Sequence, residues 1–193
     1  MNVSIMSREA LVDELLAASS CNPVPRRARS CAHEVATPFD APREQRLARV
    51  LGIARELLIR DLHRDLQSTP LMSSPEVLRD WLRIRFAGLE HEVFLVVFLD
   101  AQNRVIDTET MFRGTLTQTS VYPREVVKSS LACNAAAVAF AHNHPSGVAE
   151  PSAADRLLTQ ALKAALILVD VRVVDHFIVG GDQLLSMAER GLL

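Results

Sequence analysis

The sequence predicts an α/β fold in which helices flank a mixed sheet, preceded by a helical N-terminal extension. Before residue 92 the apolar residues recur at helical spacing, whereas short β-branched and aromatic runs alternate with helical segments after it. The length of 193 residues fits one domain of ordinary size plus an extension. We therefore predict an extension over residues 1–70 and a sheet-containing domain over residues 71–193.

The composition is that of a soluble globular protein with nearly balanced charge. The hydrophobic fraction is 49% and the formal net charge is −2, so nothing marks the whole chain as a nucleic-acid binder. The cysteines number 3 and form no C-x-x-C pair, which suits a reducing cytosol and predicts a cytoplasmic location. The N-terminus shows no signal-peptide pattern, and no apolar run approaches the about 18 residues of a membrane span, so no membrane partner is expected.

The extension begins with a short predicted helix. Ser7 can cap a helix that runs from Arg8 to Ala18. Residues 21–45 then carry four prolines and the basic run Arg-Arg-Ala-Arg at 26–29, a composition typical of an irregular, mobile segment. Such a basic run is more often solvated than bound to phosphate, so nucleic-acid contact is the weaker interpretation.

Two further helices are predicted before the sheet. Residues 43–64 place apolar side chains on one side and arginines on the other, which indicates an amphipathic helix with a solvated basic face. The apolar side consists of Leu47, Val50, Leu51, Ala54, Leu57 and Leu58. After a turn over residues 68–75, Pro75 at the first helical position begins the second helix, and we expect Trp81 on its apolar side to pack in the core.

The hydrophobic pattern changes from helical to extended at Glu92. Residues 92–100 form a β-branched and aromatic run, residues 101–103 a polar tip, and residues 104–115 a second extended run. This arrangement predicts an antiparallel hairpin. A further strand is expected from Leu116 to Val121, followed by a helix from Pro123 to Ala132.

The remaining third of the chain alternates strand and helix. A buried strand over residues 135–141 leads to His142. Ser152 is predicted to cap a helix that runs to residue 168 and carries a leucine-rich face suited to packing on a sheet. Residues 168–180 then read as another strand, which turns at Gly180-Gly181-Asp182 into the C-terminal segment.

The segment AHNHPSGVAEPSAAD, residues 141–155, has the pattern of a metal site. His142 and His144 are two residues apart on an extended segment, so their imidazoles point to the same side. Asp155 lies at the third position of the helix capped by Ser152, which can bring its carboxylate back over the histidines. Two imidazoles, one carboxylate and an open position for water form the ligand set of a catalytic zinc site.

This segment also has a purely structural interpretation. Either histidine can be hydrogen-bonded near a turn, and Asp155 can serve only as a capping carboxylate favoured by the helix dipole. A short H-x-H motif alone is weak. The full spacing H-x-H-x7-S-x2-D at a strand-to-helix junction favours the metal site and predicts Zn2+ as the cofactor.

Hydrolysis of an amide also requires a group that moves a proton. A metal lowers the pKa of a bound water towards about 7, but the proton must still reach the leaving nitrogen. The candidate shuttles are Glu92, Glu109 and Glu125, of which Glu92 begins the first core strand, where partial burial would suit the role. Glu125 has a structural explanation in the first turn of a helix, and Glu109 can face either way. Ser152 can donate to an oxyanion, although capping is its simpler role.

These residues resemble the JAB/MPN metalloenzymes, whose JAMM signature is an upstream glutamate followed by H-x-H-x7-S-x2-D. More closely, four segments resemble the RadC family of bacterial JAB-domain proteins: EVFLVVFLDAQNRVIDTETMFRGT, VYPREVV, NAAAVAFAHNHPSGVAEPSAAD and VDHFIVGGDQLLSMAERGLL. The resemblance covers residues 75–193. It implies a JAB/MPN-like, cytidine-deaminase-like fold, a zinc ion bound by His142, His144 and Asp155, and the upstream glutamate at Glu92.

The N-terminal part departs from the fuller RadC pattern. RadC proteins usually carry a helix-hairpin-helix module with a Gly-x-Gly hairpin before the JAB domain, whereas this chain offers only Leu51-Gly52-Ile53. The chain therefore resembles a short RadC form without a clear DNA-binding module.

Three functions from different classes follow from the resemblance and the residues. The leading hypothesis is a JAMM-type zinc metallopeptidase that cleaves a peptide or isopeptide bond in a protein or peptide substrate. The second is a DNA-associated accessory protein, as the DNA-repair label of the RadC family suggests, in which the JAB fold is a scaffold and DNA binding depends on salt. The third is a zinc-dependent nuclease, but such chemistry often uses two metals and one ligand set is visible. The sequence leaves the oligomeric state open.

Overall fold

A computed structural model of the protein describes residues 3–19, 41–71, 75–114 and 121–193. The chain divides into two compact units, Met1–Asp61 and Leu62–Leu193. The helices are a short 3-10 helix (Val3–Ile5), α1 (Arg8–Ser19), α2 (Ala41–Ser68), α3 (Pro75–Phe86), α4 (Pro123–Ala132) and α5 (Ala153–Ile167). None of the helices in these ranges is both long and apolar enough to cross a bilayer.

The first helices agree with the sequence in type and differ in extent. Ser7 caps α1 as predicted, because the backbone N–H of Ala10 donates to its Oγ at 3.1 Å. Helix α2 begins at Ala41, so the last residues of the segment predicted to be irregular are helical. Residues 20–40, including the basic run at 26–29, lie outside the described residues.

The leucine side of α2 is largely exposed. Leu47, Leu51 and Leu58 are 58%, 60% and 53% exposed, whereas Ile53 is fully buried. The side of the helix that packs is thus rotated away from the side that the leucine spacing indicates. In α3 the pattern holds, and Trp81 is buried with Leu78, Leu82 and Phe86 as predicted.

The sheet has five strands in the order β2-β1-β3-β4-β5. The strands are β1 (Val93–Leu99), β2 (Val105–Arg113), β3 (Ala137–Asn143), β4 (Arg172–Gly180) and β5 (Gln183–Ser186). Strands β1 and β2 form the predicted antiparallel hairpin, β3 and β4 run parallel, and the other neighbours are antiparallel. The prediction of an α/β fold with a mixed sheet is confirmed. The strand predicted from Leu116 to Val121 falls almost entirely in the undescribed residues 115–120.

The two central strands determine where the candidate site lies. Every residue of β1 and β3 is buried, which explains their continuous apolar runs. One face of the sheet packs against α4 and α5 through a core that includes Phe94, Phe140, Leu162 and Leu166. Because side chains alternate along a strand, His142 projects to the same face as Phe140. His142 therefore lies on the α5 side of the sheet, where β3 ends.

Candidate metal centre

The three predicted metal ligands converge at the end of β3. His142 Nε2 lies 3.0 Å from His144 Nε2 and 3.3 Å from Asp155 Oδ1, and His144 Nε2 lies 3.5 Å from Asp155 Oδ2. Ligand atoms at the usual zinc distances of about 2.0–2.1 Å are separated by about 3.3 Å along the edge of a tetrahedron. The ligand atoms of the three side chains all lie within 4.8 Å of one another, so a single metal ion could bridge them.

The loop after His144 selects the tautomer of its neutral ring. Its Nδ1 lies 2.8 Å from the carbonyl oxygen of Val148. Since a carbonyl oxygen only accepts, Nδ1 carries the proton and Nε2 of the neutral ring presents its lone pair to His142 and Asp155. A metal ion bound at the cluster would take this lone pair, so the loop that supplies the Val148 carbonyl would also orient the ligand.

Asp155 has one oxygen, Oδ2, fixed by its own helix beside His144, and the other, Oδ1, directed at His142. The backbone N–H and the hydroxyl of Ser152 both donate to Oδ2 at 2.7 Å, and the backbone N–H of Asp155 donates to Ser152 Oγ at 3.2 Å. This is the predicted capping box. The hydroxyl proton of Ser152 is thus used on Asp155, and its role as an oxyanion donor stays a prediction.

The electrostatics of the cluster favour a cation between the three groups. Burial alone would raise the pKa of the Asp155 carboxyl, but hydrogen bonds to His142, His144 and Ser152 hold that pKa well below its usual range. The hydrogen bond to Asp155 raises the pKa of His144, and the charge of Glu92 raises it further. A carboxylate next to two nitrogen lone pairs is stabilised by a bound positive charge, which a divalent metal supplies.

Glu92 lies beside this cluster, whereas the two other candidate shuttles do not contact it. Phe94 is paired with His142 at the end of the β1–β3 ladder, and continuing this register by two residues puts Glu92 opposite His144. The effect of the Glu92 charge on the pKa of His144 is consistent with this position. Glu109 pairs with Val96 in the edge strand and is exposed. Glu125 accepts hydrogen bonds from Arg124 and Lys128 on α4, and these hold its pKa below the usual value.

The side chain of Asn143 secures the backbone on both sides of Glu92. The backbone N–H of Val93 donates to Asn143 Oδ1 at 2.8 Å, and Asn143 Nδ2 donates to the carbonyl oxygen of His91 at 3.0 Å. A third bond runs from the Gly114 N–H to the Glu92 carbonyl oxygen at 2.8 Å. Because Asn143 lies between the two histidine ligands in sequence, it ties the Glu92 backbone to the strand that carries them.

Two residues next to the cluster were missed by the sequence analysis. His176 Nε2 lies 2.8 Å from His142 Nδ1, and Thr159 Oγ1 lies 2.6 Å from His176 Nδ1. Burial lowers the pKa of His176 well below its usual value, so this ring is neutral. The signal in the sequence was a histidine inside the apolar strand VRVVDHFIVG, since a polar side chain in a buried strand needs a partner.

The loop that orients His144 lies directly on Gly180. A Cβ at this position would approach Ala149 N and Val148 C to 2.6 Å. We expect Gly180→Ala to destabilise the fold by about 1–3 kcal/mol and to weaken zinc binding, because the loop must move and carry the Val148 carbonyl away from His144. Chemical denaturation and a zinc titration measure the two effects.

Gly52 provides the matched control for this prediction. It lies within α2, and a Cβ added there meets nothing within 4 Å. Gly52→Ala should therefore stabilise the protein by about 0.5–1 kcal/mol through helix propensity and leave zinc binding unchanged. A Gly180→Ala protein with wild-type stability and zinc affinity would show that the loop does not depend on this close approach.

The sheet-containing part of the chain is similar to a known protein family. The family model described as RadC-like JAB domain matches residues 72–192. The UPF0758 protein of Leptothrix cholodnii is 59% identical over 147 residues, which cover 76% of this chain and 64% of that protein. The UPF0758 proteins of Nitrosospira multiformis and Methylibium petroleiphilum are 63% and 60% identical over segments of the same length and coverage. This chain thus spans about 64% of the length of these relatives.

Proposed function

This chain belongs to the RadC-like JAB domain family, and from that premise we propose that it is a zinc-dependent hydrolase of the JAMM type that cleaves a peptide or isopeptide bond. The observation that carries the proposal is the convergence of His142, His144 and Asp155, whose ligand atoms all lie within 4.8 Å of one another. A zinc ion bound there would act as a Lewis acid and lower the pKa of a water towards about 7. Three protein ligands leave the fourth position open, as hydrolytic zinc sites require.

The amide specificity of the proposal rests on the number of ligand clusters. Among the described residues, this is the one group of three or more histidine, cysteine or acidic side chains spaced to hold a metal. Phosphoester hydrolysis often employs two metals about 3.5–4 Å apart, whereas the JAMM chemistry implied by the motif employs one. We therefore favour a peptide or isopeptide over a nucleic-acid substrate.

Glu92 is the residue that we propose to move the proton. A carboxylate beside the cluster can accept a proton from water and return it to the leaving nitrogen. The position of Glu92 opposite His144 and the two Asn143 bonds that hold its backbone support this assignment over Glu109 and Glu125. Glu92 directly precedes β1 and is partly buried, and its charge acts on His144.

The proposed function is tested on the wild-type protein before any substitution. The protein is purified without chelators, its zinc content is measured, and it is incubated with fluorogenic peptides and with isopeptide-linked conjugates. We expect stoichiometric zinc, and cleavage that a chelator abolishes and added zinc restores. Absence of zinc binding at micromolar metal would contradict the proposal, and zinc-dependent cleavage of phosphodiesters alone would favour the nuclease.

A further inference from the structure

A series of buried hydrogen bonds links His142 to the backbone of the helix that carries Asp155. His142 Nδ1 lies 2.8 Å from His176 Nε2, and His176 Nδ1 lies 2.6 Å from Thr159 Oγ1. The Thr159 hydroxyl in turn contacts the carbonyl oxygen of Asp155 at 2.6 Å. His176 and Thr159 are fully buried, and the series connects β3, β4 and α5.

The direction of every proton in this series follows from the Asp155 carbonyl oxygen. That oxygen only accepts, so an approach of 2.6 Å requires the Thr159 hydroxyl to give its proton there. Thr159 Oγ1 then accepts from Nδ1–H of His176. A ring this deeply buried, with no carboxylate hydrogen-bonded to it, is neutral, so its Nε2 is an acceptor.

The order of donors and acceptors along this series of hydrogen bonds also determines the tautomer of His142. Because His176 Nε2 accepts, His142 Nδ1 carries the proton that is donated to it. In the neutral ring, Nε2 of His142 is then the nitrogen without a proton, and it faces Asp155 Oδ1 and His144 Nε2. Of the two neutral tautomers, this is the one in which His142 can ligate a metal at the cluster.

We propose that His176 and Thr159 are positioning residues of the metal centre, which hold His142 in its metal-binding tautomer and tie it to the backbone of Asp155. This inference rests on the proposed zinc site and adds two residues that act on it without touching metal or substrate. The loss of a residue that orients a metal-bound histidine typically lowers metal affinity about 10- to 100-fold.

Packing and hydrogen bonding can be separated at both positions. The His176 ring packs edge-on against Phe94 and Phe140, with centroids 5.5 and 5.7 Å away. His176→Phe keeps an aromatic ring among these neighbours but cannot accept from His142. Thr159→Val keeps the branched shape without the hydroxyl, whereas Thr159→Ser keeps the hydroxyl and loses one methyl group.

The experiment measures zinc affinity by competition with a chromophoric chelator in the full chain. We expect Thr159→Val and His176→Phe to bind zinc about 10- to 100-fold more weakly than wild type, and Thr159→Ser to restore most of the affinity. In 15N-labelled wild-type protein, the His142 Nδ1–H should give a downfield, slowly exchanging proton signal. We expect His176→Phe to remove this signal from folded protein. If His176 had only a structural role, the signal would persist in the folded variant.

Each outcome of this experiment decides the inference. Thr159→Val protein with wild-type zinc affinity and an intact His142 Nδ1–H signal would overturn it, as would a His142 ring protonated on Nε2 alone. If wild type bound no zinc, the proposed function would fail, while the nitrogen spectrum of the metal-free protein would still decide the tautomer. If His176→Phe did not fold, the Thr159→Val and Thr159→Ser pair would carry the test.

Discussion

Replacing Asp155 with asparagine is expected to weaken zinc binding by more than the about 100-fold lost with a residue that only orients a ligand. The amide oxygen can take the place of Oδ2 and keep the two bonds from Ser152 at the start of α5. The amide NH2 would then face His142 Nε2, where the structure has a carboxylate oxygen at 3.3 Å. The substitution removes the negative charge and the metal-facing oxygen together, so zinc loses a ligand while the helix keeps its cap.

Zinc content and isothermal titration measure this effect, and thermal unfolding of the metal-free protein reports on the fold. The metal-free variant should lose the interaction of the carboxylate with the helix dipole, about 0.3–1 kcal/mol, together with the hydrogen bonds of the carboxylate to His142 and His144. Asp170→Asn is the control, because Asp170 is exposed and has a φ of 59°, a conformation that asparagine also adopts readily. Stoichiometric zinc in both Asp155→Asn and His144→Ala proteins would refute the ligand assignment.

Replacing Glu92 with glutamine should lower kcat about 10²- to 10⁴-fold without changing zinc content, since the amide keeps the size of the side chain but cannot take up a proton. The large effect is expected because Glu92 stands at the register position of His144, with its backbone held by Asn143. The measurement is cleavage of the best peptide or isopeptide substrate under saturating conditions, with metal content determined on the same samples.

Glu109→Gln and Glu125→Gln are the matched controls for Glu92→Gln. Glu109 is exposed on the edge strand and Glu125 is engaged by Arg124 and Lys128, so neither substitution should change kcat. If one of these two variants were inactive while Glu92→Gln retained full activity, the shuttle would have to be reassigned. The accessory role would be favoured by two results together. The wild-type protein would show no hydrolytic activity, and its salt-dependent DNA binding would be the same in the Glu92→Gln variant.

The grouping of the three candidate ligands was predictable because local geometry brings them together. His142 and His144 share a side of one strand, and Asp155 follows within a single loop and helix start. Strand alternation and the capping box act over a few residues and can be inferred without a tertiary fold. The helices and the β1–β2 hairpin were predictable for the same reason.

The spacing of residues along the sequence could not distinguish among the three candidate glutamates. Glu92, Glu109 and Glu125 lie 50, 33 and 17 residues before His142 along the chain. Their distances from the metal centre depend on which strands pair and in what register. The antiparallel pairing of Phe94 with His142 is the tertiary feature that brings Glu92 beside the cluster.

The sequence by itself therefore determined the α/β class, the two histidines and the aspartate of the candidate centre, and the capping serine, since each depends on periodicity or on contacts within one short segment. Only the tertiary structure decided which residues support them. His176 reaches His142 because β3 and β4 lie side by side in parallel, and Asn143 reaches the backbone around Glu92 from β3. Hydrogen bonds between residues 34 and 50 positions apart depend on strand order and register, which no local pattern in the chain encodes.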